Sequence, residues 1–106
     1  MGAMADKETL LKQHQILANQ NPTSEGFLEK LKKHFEEEEA FLEKHKEVLG
    51  GSDELSPLGM VKKEHRLLLD YLEKGEIERF KNLFKYHTFK EETQIYVMLS
   101  FGYKTF

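Results

Sequence analysis

Along this chain apolar residues return every three or four positions rather than every second one, which is the period of amphipathic helices and not of strands. Three clusters of breakers, "NQNPTSEG" at 19–26, "GGSDELSP" at 50–57 and "KGE" at 74–76, divide it into four segments rich in Leu, Glu, Lys and Phe. Four helices are therefore expected. Thr23 or Ser24 is placed to cap the second, and Ser56 followed by Pro57 suits the cap and first turn of the third. Connections this short favour antiparallel neighbours, so the expected fold is all-α, an up-down-up-down antiparallel four-helix bundle.

Each helix has an apolar stripe, and each stripe is interrupted. The first carries Leu10, His14, Leu17 and Ala18 on one side. The second carries Phe27, Leu31, His34, Glu38, Phe41, Leu42, His45 and Leu49; the third carries Leu58, Val61, His65, Leu68, Leu69 and Leu72. The fourth carries Phe80, Leu83, Phe84, His87, Glu91, Ile95 and Met98. At about 100° per residue Glu38 lies only about 40° round from His34, so one glutamate of "HFEEEEAF" shares the histidine's face while Glu36 and Glu37 point elsewhere.

The interruptions repeat. His14 precedes His34 by 20 residues, His65 precedes His87 by 22, and a glutamate follows the later histidine by four each time. The chain reads as two copies of one helical hairpin, with Glu38 matched to Glu91. In an antiparallel hairpin two residues face each other when the turn lies midway between them. The midpoint of His14 and His34 is position 24, inside the first breaker; that of His65 and His87 is 76, beside Gly75. The pair at 34 and 38 meets His65 around Gly50 and Gly51. Four histidines and two glutamates are thus expected at one level of the interior, within about 5 Å along the axis.

Bulk composition narrows the alternatives. A chain of 106 residues makes one domain with one core. Charged residues reach 33%, yet they cancel to a net charge of −3, which offers no field for nucleic acid or an anionic membrane. The absence of cysteine excludes disulfides, thiolate metal sites and thiol nucleophiles, and no stretch approaches the roughly 20 apolar residues of a membrane span. The expectation is a soluble cytoplasmic protein, a monomer or weak homodimer. Residues 1–5, opening "MGAM", read as a tag remnant or disordered N-terminus, 6–101 as the bundle, and 102–106 as a fraying end.

Two carboxylates and four imidazoles in a dry core need compensation, because buried charges must be paired or coordinate a metal. A pair of dications supplies it. Donors without sulfur suit iron, manganese or zinc; each glutamate can bridge two ions and two histidines can terminate each, leaving positions open for a small ligand. His45, about 16 Å along the axis from His34, is too distant and reads as a capping residue. Glu36, Glu37, Glu39 and Glu92 read as solvated, and Glu64, about 100° off the core stripe beside His65, at best supports a ligand from outside the cluster.

His14, "HFEEEE", "KEH" ending at His65, and "HTFKEE" together resemble the hemerythrin family, in its HHE cation-binding branch, over residues 6–101. The resemblance implies a non-haem di-iron centre in a four-helix bundle, with His14, His34, His65 and His87 as terminal ligands and Glu38 and Glu91 as bridges. It implies binding or sensing of dioxygen, a related small ligand, or iron. The chain departs from the oxygen carriers at Leu69, where they place a further histidine, and at Glu92, where they place an aspartate; other branch members have a glutamate at the position of Phe35. The alternatives are a di-iron enzyme (an oxidase, a peroxide-consuming activity or an iron donor for cluster repair) and a metal-free interaction bundle.

Overall fold

The structure, a computed structural model, describes residues 7–51, 53, 55–97 and 99. Four helices follow one another: α1 (Lys7–Ala18), α2 (Phe27–Lys44), α3 (Pro57–Glu73) and α4 (Ile77–Lys90), the last running on into a π-helical turn over Glu91–Ile95. Among the described residues there is no strand, and no helix is long and apolar enough to cross a membrane. The expected tag remnant, the frayed C-terminus and Met98 lie outside the described residues.

The caps show how local chemistry sets the ends. Ser56 starts α3, its hydroxyl accepting from the Gly59 N–H at 3.2 Å, and Pro57 takes the first position where no N–H is missed. Neither Thr23 nor Ser24 caps α2, contrary to expectation. Thr23 is already spent on Asn21, whose Oδ1 accepts from its N–H at 3.0 Å and its hydroxyl at 2.8 Å, and the Ser24 hydroxyl donates to the Asn21 carbonyl at 2.6 Å. The helix begins instead at Gly26, where φ is +82° and no side chain caps the end.

Two apolar clusters are stacked with a polar layer between them. One gathers Leu10, Leu42, Leu49, Leu58, Val61, Ile95, Tyr96 and Leu99; the other gathers Leu17, Phe27, Leu31, Phe35, Leu68, Phe80 and Phe84. Each helix crosses from one cluster to the other, α1 from Leu10 through His14 to Leu17, α2 from Phe27 through His34 and Glu38 to Leu42. The order then repeats: α3 runs from Val61 through His65 to Leu68, and α4 from Phe80 through His87 and Glu91 to Ile95. Two stripe assignments need correction. Ala18 is exposed at the end of α1, and Phe35, one position past His34, is buried.

Candidate metal centre

The polar layer consists of His14, His34, Glu38, His65, His87 and Glu91, every one of them buried, so all six expected residues come together. They form two overlapping groups able to hold a metal ion: Glu38, His65, His87 and Glu91 in one, and His14, His34 and Glu38 in the other, with donor atoms in each within 4.8 Å of one another. Glu38 belongs to both. Its Oε1 lies 2.9 Å from His65 Nε2 and 3.9 Å from His87 Nε2, while Oε2 lies 3.2 Å from His14 Nε2 and 3.9 Å from His34 Nε2. Glu91 Oε1 sits between the groups, 3.1 Å from His87 Nε2 and 3.3 Å from His14 Nε2.

All four rings turn Nε2 inward and Nδ1 outward, and each Nδ1 has an acceptor waiting. His34 Nδ1–H donates to Gln13 Oε1 at 2.6 Å, His65 to Glu39 at 2.7 Å, His87 to Glu64 at 2.6 Å and His14 to Glu92 at 3.0 Å. The four acceptors form a closed ring, α1 supporting α2, α2 supporting α3, α3 supporting α4, and the π turn supporting α1. Fixing the proton on Nδ1 leaves the Nε2 lone pair directed at the centre, which is how a metal-binding histidine is prepared. Glu39 and Glu92 are thus not the merely solvated residues expected, and Glu64 takes the outer supporting role left open for it, behind His87. Gln13 was not anticipated. The available signal was adjacency: Gln13 precedes His14, Glu64 precedes His65, Glu39 follows Glu38 and Glu92 follows Glu91.

The π turn explains how Glu91 and Tyr96 both face inward. In an i→i+5 turn the fifth residue returns to nearly the same face, and the Tyr96 N–H bonds the Glu91 carbonyl. The Tyr96 hydroxyl then donates to Glu38 Oε2 at 2.5 Å, a contact sequence reasoning missed because α-helical spacing turns position 96 away from position 91. Phe35 stacks on the His65 ring, centroids 3.9 Å apart and planes at 10°. His45 stands apart as the C-cap of α2, edge-on to Phe41.

Besides Gln20 Oε1, three buried side-chain atoms among the described residues have no hydrogen-bond partner, and all three belong to the polar layer: His34 Nε2, Glu91 Oε1 and Glu91 Oε2. The imidazole nitrogens near Glu91 are close enough but lie off the direction a ring N–H requires. Cations fit this donor set, because they would satisfy all three atoms together. Burial drives the His34 pKa down to about 4, with the Glu38 charge opposing it only in part, so the ring is neutral and able to ligate. Burial also disfavours charge on His14, but the hydrogen bond that Glu38 accepts from it and the nearby charges of Glu38 and Glu91 prevail and push its pKa up to about 10. Burial likewise opposes charge on His65, where Glu38 and Glu39 outweigh it and hold the pKa well above the usual value. For Glu38 burial would raise the pKa; hydrogen bonds from His14 and His65 keep it well below the carboxylate range.

Burial opposes charge on His87 too, but Glu64 and Glu91 outweigh it and raise its pKa, so in the metal-free protein at neutral pH protons on His14 and His65, with His87 biased the same way, offset the carboxylate charge. A cation must displace them, so uptake of Zn2+ is expected to release about one proton or more per chain, and affinity falls as pH falls. Calorimetry at pH 7 in buffers of different ionisation enthalpy measures this; a heat of binding independent of the buffer would contradict it.

No match to the chain was found among protein-family models, curated proteins or solved structures.

Proposed function

We propose that this chain is a hemerythrin-like domain, an up-down-up-down antiparallel bundle of the HHE cation-binding kind, holding a carboxylate-bridged pair of iron ions. On this reading it binds or senses dioxygen, a related small ligand, or iron itself. The alternating order in which the four helices cross the two apolar clusters supports the topology. The observation that carries the metal reading is the inward set of Nε2 atoms around unpartnered acceptors. Each such buried atom left unsatisfied costs about 1–3 kcal/mol, and ordinary cores do not gather them.

His65 and His87 would hold one ion and His14 and His34 the other, with Glu38 and Glu91 shared between them. Such a pair, when bound, supplies a Lewis-acidic, redox-capable place for a small oxygen ligand. The chain's own contribution is to hold donors rigid and dry. The outer ring of acceptors fixes the imidazoles, while Phe35 and Tyr96 pack against the polar layer. Nitrogen and oxygen donors without sulfur suit iron, and manganese or zinc by the same chemistry.

Metal analysis after anaerobic purification tests the proposal: two irons per chain are expected, and a protein that stays empty when offered ferrous salt overturns it. Oxygen uptake by the ferrous protein then separates the roles. Stoichiometric, reversible uptake fits a carrier or sensor, whereas continued consumption identifies an oxidase.

A further inference from the structure

We propose that the two cation positions are unequal, the one at His65 and His87 tight and the one at His14 and His34 weaker and exchangeable, and that Gln13 sets the difference. The inference rests on the two-cation reading above.

The hairpin repeat makes the positions equivalents of each other: His14 matches His65, His34 matches His87, and Glu38 matches Glu91. Their outer partners match too, Glu39 with Glu92, and Gln13 with Glu64. Only the last pair differs in charge. The Glu64 carboxylate behind His87 draws the Nδ1 proton outward and makes Nε2 a stronger donor; the Gln13 amide behind His34 does so less. Lys90 pairs with the other Glu64 oxygen, an opposing charge one step further out. A second asymmetry points the same way. Tyr96 donates to Glu38 Oε2, the oxygen turned towards His14 and His34, while among the described residues Oε1 on the other side receives no phenol. The tight position is also built wholly from α2, α3, α4 and the π turn, whereas the weaker one borrows His14 from the 12-residue α1. A groove between α1 and α2, lined by Gln13, Leu17, Lys33, His34 and Glu37, opens beside this weaker position.

Partners of ligating histidines shift metal affinity by about 10–100-fold, so a gap of that order is expected between the two positions. The Gln13 amide nitrogen also donates to Glu37 Oε2 at 2.8 Å, which permits a charge-neutral swap. In Gln13→Glu with Glu37→Gln the hydrogen bond is kept, reversed in sense, and the carboxylate moves behind His34. The experiment withdraws Co2+ from the loaded full chain with a chelator, following d–d absorption and bound metal. The native chain should lose its ions in two phases, and the swap should narrow the gap by about tenfold by tightening the weaker phase. Glu39→Gln should narrow it from the other side, by loosening the tighter phase. Two ions leaving together in the native chain, or a gap that the swap leaves unchanged, overturns the inference while the two-cation reading stands. Fewer than two ions bound at the start removes that reading instead.

Discussion

Replacing Glu38 with glutamine should empty both cation positions at once, whereas His34→Ala should empty one. Glu38 is fully buried and belongs to both donor groups, one oxygen turned to each. A carboxamide keeps the shape but offers one acceptor oxygen in place of two and carries no charge, so whichever way it turns, one position faces an NH2 group. Affinity should fall at both positions by more than the 10–100-fold that loss of an outer partner costs. The protein should also be less stable without metal. Glu38 accepts from His14, His65 and Tyr96, and one amide oxygen cannot serve all three, so about 1–3 kcal/mol is lost for a donor left unmet. Metal content per chain and the thermal midpoint read both effects. A Glu38→Gln protein that retains two ions would show that the carboxylate is not shared.

The helices and the six central residues were legible from the sequence for one reason: helical period and hairpin midpoints are both arithmetic on residue number. The apolar stripe of each helix predicted burial of His14, His34, His65 and His87, and burial of charge predicted convergence. What was not legible depended on lateral geometry. The acceptors Gln13, Glu39, Glu64 and Glu92 flank the central residues in sequence but serve a histidine on the next helix, a relation fixed by helix packing and invisible in any single wheel. Tyr96 depended on the π turn, which shifts every later side chain by about one position relative to an α-helix. Thr23 and Ser24 failed as caps because Asn21 competes for their hydrogen-bonding groups within the preceding turn. Phe35 looked like a departure from a ligand position; it is a packing residue against His65.

Withdrawing the cations should lower the thermal midpoint sharply and should loosen α1 first. A ligand bound only by the folded state adds about 4 kcal/mol when its free concentration is a thousand times the dissociation constant. For a domain of this size each kcal/mol moves the midpoint by about 4 °C or more, so a position held that tightly contributes about 15 °C and the weaker one less. Without the ions His34 Nε2 and both Glu91 oxygens remain buried and unpartnered, and positive charge favoured on His14, His65 and His87 is what offsets the carboxylates of the layer. The strain is not shared evenly. The helices α2, α3 and α4 keep Phe27, Leu31, Phe35, Leu68, Phe80 and Phe84 packed together whatever happens at the centre. By contrast α1 has three buried residues, Leu10, His14 and Leu17, and twelve residues are too few to hold a helix in water alone. Amide exchange on the chelated protein should therefore show protection lost from α1 before the other helices, with the midpoint falling in step. Equal midpoints with and without chelator, at confirmed metal loading, would mean that the polar layer is satisfied by protons alone and that the ions add nothing to the fold.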